Sequence, residues 1–143
     1  MEQIQNRRGN YGIDAPIVIR NLSLIGTGFL ILGVADFFIF PERLRWLGQA
    51  LGFLFLVSFL VVSFEALYMV WSSKVGKFRE RERLLDLVAL SGDEKVLDVG
   101  CGRGLVLNAA ARRLTTGRAV GIDIWNKQDQ SGNSPEATRA NAM

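Results

Sequence analysis

The residues best suited to chemistry lie in the stretch 96–104. Gly100, Gly102 and Gly104 stand at alternate positions after a short apolar run that is typical of a buried parallel strand. Glycines at this spacing let the chain turn sharply, and they let a ligand approach the backbone without meeting a Cβ atom. Apolar residues at helical spacing follow over 105–114, so the amides at the start of this helix are predicted to face the ligand.

An acidic residue, Asp123, lies near the end of a second short apolar run over 119–124. It follows Gly104 by about 20 residues, the spacing at which a carboxylate in dinucleotide-binding folds accepts hydrogen bonds from ribose hydroxyls. Strand, glycine turn, helix, strand and acid therefore stand in the order that an adenosine-containing ligand requires. The pattern predicts two parallel strands joined by a helix.

The glycine spacing distinguishes between such ligands. A dinucleotide fingerprint is G-x-G-x-x-G, but Leu105 stands where its third glycine belongs, and the pattern here is D-x-G-x-G-x-G beginning at Asp98. In this respect the sequence resembles the class I S-adenosylmethionine-dependent methyltransferases over residues 79–143. The resemblance implies a Rossmann-like α/β fold and S-adenosyl-L-methionine as cofactor, bound by Asp98, Gly100, Cys101, Gly102, Gly104, Asp123, Ile124 and Trp125.

The resemblance also implies roles for these residues. Asp98 would help to position the methionine amino end, directly or through water, and the glycine turn would pass close to the methionyl part. Asp123 would bind both ribose hydroxyls, with Ile124 and Trp125 near the adenine. Cys101 is predicted to be a small side chain that fills the turn, because the chain contains no histidine to activate its thiol as a nucleophile.

Composition divides the 143-residue chain into an apolar and a soluble half. The formal net charge is only +3, which does not predict nucleic-acid binding. One cysteine and no histidine argue against a zinc site, and no metal is expected. Apolar residues crowd between positions 17 and 71, whereas the stretch from 72 onward has the composition of a soluble domain.

Residues 17–71 are predicted to form a transmembrane hairpin of two helices. Segments 22–40 and 46–71 are almost continuously apolar, and each is long enough to provide the ~20 residues that cross a bilayer. Trp46 and Trp71 bracket the second segment as interfacial anchors do. The alternative is a soluble helical hairpin buried in a larger core, but neither segment shows the polar stripe of a soluble surface helix.

Charged residues predict the orientation of this hairpin. Asp36 and Glu65, inside the apolar segments, lie near opposite bilayer faces, so we expect each near an interface and not paired with the other. Their roles are not assigned by the sequence. Basic residues are more numerous before, at the start of and after the hairpin than in its loop, which predicts that both termini lie in the cytoplasm, where S-adenosylmethionine occurs. The residues compared are Arg7, Arg8, Arg20, Lys74, Lys77, Arg79, Arg81 and Arg83 against Arg43 and Arg45.

The remaining segments complete the predicted organisation. Residues 1–16 are expected to be a flexible polar tail, and 72–90 a linker that passes into an amphipathic helix. Residues 91–143 are expected to be a partial S-adenosylmethionine-binding domain that ends in a helix capped by Ser134 and started by Pro135. Methyltransferases of this type usually have seven strands, so we expect a truncated form or fragment, inactive alone, or a chain completed by a second copy or a partner.

Three classes of function are compatible with these patterns. The leading one is a membrane-anchored methyltransferase that acts on a lipid-like or other small acceptor near the membrane, with no catalytic residue assigned. The second is a fragment of an NAD(P)-dependent oxidoreductase, which Leu105 disfavours. The third is a non-enzymatic membrane module whose strand–helix–strand unit is a remnant or an interaction surface.

Overall fold

The computed structural model describes residues 9–143, and this part of the chain is mostly helical with two parallel strands. It divides into two compact units, residues 17–71 and residues 9–16 with 72–143. The α-helices are α1 (Pro16–Ile39), α2 (Arg45–Trp71), α3 (Lys77–Val88), α4 (Leu105–Ala111) and α5 (Pro135–Ala142). The strands are β1 (Lys95–Val99) and β2 (Arg118–Ile122).

The unit of residues 17–71 consists of the two apolar helices predicted from the sequence. A short 3-10 turn, Glu42–Leu44, connects α1 to α2. Both helices are long and apolar enough to cross a membrane. Only 11% of the most apolar stretch of each helix is buried, so most of its large apolar side chains are exposed.

Glycines bring α1 and α2 into close contact. A Cβ atom on Gly33 would lie 3.0 Å from the carbonyl oxygen of Gly52, and one on Gly52 would lie 2.8 Å from the carbonyl oxygen of Gly33. A Cβ atom on Gly48 would lie 2.6 Å from the carbonyl oxygen of Asp36. Gly48 and Gly52 form a G-x-x-x-G pattern, through which membrane helices approach closely. The small residues that allow the close approach are therefore Gly48 and Gly52 of α2, and Gly33 of α1 packs against Gly52.

We expect Gly52→Ala to destabilise this helix pair, because its Cβ atom would also meet the ring of Phe37 at 2.9 Å. Overpacking of this kind costs about 1–3 kcal/mol. Thermal unfolding of the full chain in detergent micelles measures the effect. Gly28→Ala is the matched control, because a Cβ atom there meets nothing within 4 Å. Equal melting temperatures for the two variants would contradict the observed packing.

In the other unit, β1 and β2 pair in parallel, as predicted. The register runs from Lys95 opposite Arg118 to Val99 opposite Ile122. Parallel strands need a crossover connection, and α4 provides it. Because β2 ends at Ile122, the side chain of Asp123 leaves the sheet at its carboxyl edge.

Within the described residues, helices cover one face of this sheet and leave the other bare. Val96 of β1 packs on a core formed by Leu85 of α3 with Ala109 and Ala110 of α4. Parallel strands are usually covered on both faces, but here the second face is exposed. The exposed apolar residues on and beside the strands are Leu97, Val99, Val120, Ile122 and Ile124.

Residues 9–15, which we name the N-terminal segment, contact residues within 72–143. Tyr11 is 3% exposed, and its ring meets Phe78 edge to face at 5.8 Å between centroids. Asp14 forms an isolated antiparallel bridge with Gln130. The segment is held by backbone pairing with residues far away in the sequence, and such long-range pairing cannot be predicted from the polar composition of the segment itself. The part of the predicted tail over residues 1–8 lies outside the described residues.

Candidate functional site

β1 leads directly into the predicted glycine turn. Gly100, Gly102 and Gly104 have φ angles of +79°, +52° and +80°, in the left-handed region that favours glycine. A Cβ atom on Gly100 would meet nothing within 4 Å, whereas one on Gly104 would lie 2.8 Å from the side-chain nitrogen of Asn108. Gly100 therefore borders open space, and Gly104 is held by packing against α4.

A cavity of about 650 Å³ opens at the carboxyl ends of the two strands. Ligand pockets usually measure about 300–1,000 Å³, and ligands of open α/β sheets bind at this edge. Its walls come from both strand ends, the glycine turn, the loop after β2 and the N-terminal segment. The lining residues are Asp14, Val99, Gly100, Gly102, Ile122, Asp123, Ile124, Asp129, Gln130 and Asn133.

Asp123 lines this cavity and faces the glycine turn. Its Oδ2 atom accepts a hydrogen bond from the N–H group of Gly102 at 2.8 Å, and its Oδ1 atom accepts one from the N–H group of Trp125. Trp125 has a φ angle of +51°, an uncommon conformation for a residue with a side chain. A carboxylate has about four acceptor positions, so Asp123 retains capacity for a ligand after these two bonds.

The amides of the turn are already used within the protein. All five N–H groups from Gly100 to Gly104 donate to protein acceptors, whereas the predicted ligand-facing amides at the start of α4 stay a prediction. The acceptors are the Ile122 carbonyl for Gly100 and Cys101, Asp123 for Gly102, Gln130 Oε1 for Arg103, and the Cys101 carbonyl for Gly104. A pyrophosphate, which needs free amides at such a turn, finds none among these five.

Helix α5 holds the turn from another side. Thr138 Oγ1 donates to the carbonyl oxygen of Gly102 at 2.6 Å, and Asn141 Nδ2 donates to that of Arg103 at 3.0 Å. The predicted cap is present, because Ser134 Oγ accepts from the N–H group of Ala137. Thr138 and Asn141 were not singled out from the sequence. Their spacing of three places them on one helix face, but it does not identify the turn as their partner.

The other predicted site residues lie partly in the cavity lining and partly outside it. Ile124 lines the cavity, whereas Asp98, Cys101, Gly104 and Trp125 are not among the lining residues. The indole N–H group of Trp125 donates to Thr138 Oγ1 at 3.0 Å, so this ring serves the contact with α5.

The side chain of Cys101, a residue of the glycine turn, is buried. Burial raises the pKa of its thiol, and the carboxylates of Asp98 and Asp123 add to that rise. A raised pKa keeps the thiol protonated at neutral pH, and a protonated thiol is a poor nucleophile. This environment agrees with the prediction that Cys101 fills space.

Asp98 lies half-buried beneath the turn, on the same face of β1 as Val96. Its Oδ2 atom is buried and has no hydrogen-bond partner among the described residues. Burial raises the pKa of its carboxyl group, the backbone N–H group of Leu107 lowers it, and the charge of Asp123 raises it further, with a net upward shift. Asp98 is therefore a carboxyl group that the fold makes harder to ionise.

We expect Asp98→Asn to stabilise the protein at pH 7 more than at pH 3. A folded-state pKa above the unfolded value of about 3.9 means that stability falls as the pH rises from there through the folded pKa. Asparagine cannot ionise, so the variant avoids this loss. Thermal unfolding of wild type and variant at both pH values measures it. A gain that is no larger at pH 7 would contradict the environment described for Asp98.

Neither metal clusters nor known proteins point to a function. Within residues 9–143, no group of three or more His, Cys, Asp and Glu side chains is placed to hold a metal ion. No protein-family model, curated protein or solved structure shows significant similarity to the chain. The cavity and its lining residues are therefore the features on which a function can rest.

Proposed function

We propose that this chain is a membrane-anchored protein that binds S-adenosyl-L-methionine, with the Rossmann-like fold of a class I methyltransferase in residues 91–143. One observation carries the proposal. The open backbone at Gly100 and the carboxylate of Asp123 border the same cavity, at the carboxyl ends of two parallel strands. This is the edge at which nucleotide ligands of such sheets bind.

The residues present fit an adenosine ligand. Asp123 offers acceptor positions for ribose hydroxyls, and Gly100 leaves space beside the backbone. Ile122 and Ile124 supply the apolar wall that a purine ring requires. The bound cofactor would supply an activated methyl group, for which the protein chiefly contributes binding and alignment. The acceptor that we propose is a lipid-like or other small molecule at the membrane, and no catalytic residue is assigned.

Charge favours this cofactor over a nicotinamide dinucleotide. Among residues 9–143, the cavity is lined by three carboxylates, Asp14, Asp123 and Asp129, and by no lysine or arginine. S-adenosyl-L-methionine carries a sulfonium, an ammonium and a carboxylate group and is a net cation, whereas a dinucleotide carries an anionic pyrophosphate. An acidic lining attracts the first and repels the second, and the amides of the glycine turn are not free to bind phosphate.

We further infer that α1 and α2 anchor the chain in a bilayer, with both termini in the cytoplasm. The exposed apolar surface of these helices is far larger than a soluble protein tolerates in water. Their lengths suit a hydrocarbon core about 30 Å thick. The excess of basic residues outside the hairpin supports this orientation.

Equilibrium binding to the full chain in lipid nanodiscs tests the proposal. We expect S-adenosyl-L-methionine and S-adenosylhomocysteine to bind with one ligand per chain in isothermal titration, and NADH to give no heat of binding. Binding of NADH alone would favour the oxidoreductase fragment. If a folded chain binds none of the three, the non-enzymatic membrane module becomes the better description.

A further inference from the structure

The N-terminal segment forms one wall of the cavity. Its backbone pairs with the loop after β2, through Ala15 N to Asp129 O at 2.7 Å and Ser131 N to Ile13 O at 2.9 Å. This pairing places Asp14 among the lining residues. The wall therefore carries a carboxylate that is far in sequence from the glycine turn and borders the same space.

Neighbouring side chains hold the Asp14 carboxylate in place. Gln130 Nε2 donates to its Oδ1 atom at 2.9 Å, and Lys77 Nζ lies 3.2 Å and 3.3 Å from its two oxygens. The Asp14 side chain is nevertheless 44% exposed. Because a carboxylate has about four acceptor positions, this partly paired group can accept a further hydrogen bond.

Lys77 holds the N-terminal segment in place through hydrogen bonds to three of its residues. Its side chain is only 12% exposed, and besides Asp14 its ammonium group donates to the carbonyl oxygens of Tyr11 at 2.8 Å and Gly12 at 3.0 Å. An ammonium group has three donors, and these contacts occupy them. Lys77 does not line the cavity, so it orients Asp14 without occupying the space that a ligand would fill.

The other acidic residues are less suited to bind a cationic ligand end. Asp98 does not line the cavity. Asp129 does, but its side chain is exposed and no hydrogen bond within residues 9–143 orients it. Asp123 is bound to the glycine turn, where it is suited to the ribose. A carboxylate that is already oriented loses less side-chain entropy on binding than a free one.

We infer that Asp14 binds the ammonium group of S-adenosyl-L-methionine, the role that the resemblance implies for Asp98. This inference rests on the proposed function. An ammonium group has N–H donors that a carboxylate can accept, whereas the sulfonium has none. The N-terminal segment is then a part of the binding site.

The test compares two ligands, one with and one without the amino-acid part that carries the ammonium group. S-adenosylhomocysteine has the amino group, and 5′-methylthioadenosine lacks the whole amino-acid part. In isothermal titration of the full chain in nanodiscs, we expect Asp14→Asn to lower the affinity for S-adenosylhomocysteine about 10- to 100-fold. This is the effect of losing one hydrogen bond between charged groups. Binding of 5′-methylthioadenosine should stay within about twofold of wild type, which also shows that the variant is folded. Asp98→Asn is the control and should not change this selectivity.

The outcomes separate this inference from the proposed function. If wild type binds both ligands and Asp14→Asn weakens both equally or neither, Asp14 does not recognise the ammonium group. Selective loss in Asp98→Asn would also overturn the inference. If wild type binds neither ligand, the proposed function fails and the inference fails with it. A desamino analogue of S-adenosylhomocysteine tests the contact on wild type without any variant, and equal affinity for the two would overturn the inference.

Discussion

Asp123→Ala is expected to weaken S-adenosylhomocysteine binding about 100-fold or more. Two hydrogen bonds from ribose hydroxyls to a charged carboxylate contribute about 1.5–3 kcal/mol each, and about 2.8 kcal/mol corresponds to 100-fold. The variant also removes the acceptor for the N–H groups of Gly102 and Trp125, so the glycine turn loses one of the hydrogen bonds that hold it. Isothermal titration of the full chain in nanodiscs measures the change.

The control for this variant is Asp129→Ala, which removes another lining carboxylate. Because no hydrogen bond within residues 9–143 holds that side chain, we expect its loss to change affinity by less than about threefold. Asp123→Asn keeps one acceptor oxygen and should fall between wild type and Asp123→Ala. Wild-type affinity in Asp123→Ala would show that this carboxylate does not contact the ligand.

The second large effect is expected for Gly121→Val in the middle of β2. Even a single Cβ atom there would lie 2.6 Å from Leu107 Cδ2, 2.8 Å from Cys101 Sγ and 2.9 Å from Cys101 Cβ. The strand, α4 and the glycine turn meet at this point, so the overlap cannot be relieved by one side chain. Overpacking typically costs 1–3 kcal/mol and occasionally more, and a small unit has little stability to lose. Loss of near-ultraviolet circular dichroism and a lowered melting temperature should report unfolding of residues 72–143.

Val120→Ala is the matched control, because this neighbouring side chain lies on the exposed face of the same strand. We expect it to change stability by less than about 1 kcal/mol. A double variant, Gly121→Val with Leu107→Ala, should recover part of the loss, because the two side chains occupy the same space. If Gly121→Val is as stable as wild type, α4 does not pack on bare strand backbone as described.

Local sequence patterns predicted most of the elements. The apolar segments of α1 and α2, the two short apolar runs and the Ser134–Pro135 helix start are each visible within a few residues. The predicted strands, 96–99 and 119–124, overlap β1 and β2 with shifts of one or two residues. The glycine turn could be predicted because alternating glycines between a strand and a helix are typical of a tight turn with positive φ angles.

The contacts that build the cavity could not be predicted in this way. Asn10 exchanges hydrogen bonds with Asn141, at the opposite end of the described chain, and neither residue type indicates the other. The loop residue that accepts from the Arg103 N–H group and the α5 residue that donates to the Gly102 carbonyl likewise belong to segments with no characteristic motif. Strand alternation does place Asp98 on the same face as Val96, so its position beneath the turn was accessible from the sequence.

Besides the proposed function, two further expectations stay predictions. Completion of the sheet by a second copy or a partner would cover the exposed face of β1 and β2, but nothing in residues 9–143 identifies what covers it. The membrane-near methyl acceptor likewise depends on the inferred anchor, because the cavity offers no feature that selects it.

Glycine-selective NMR gives the most direct measurement of the proposed site. The full chain, labelled with ¹⁵N-glycine and held in nanodiscs, is titrated with S-adenosylhomocysteine. We predict saturable shifts of the Gly100 and Gly102 amide resonances, with those of Gly28 and Gly52 in the apolar helices unchanged. Binding that leaves Gly100 and Gly102 unmoved, or a folded chain in which no glycine responds, would contradict the proposal that this cofactor lies on the glycine turn beside Asp123.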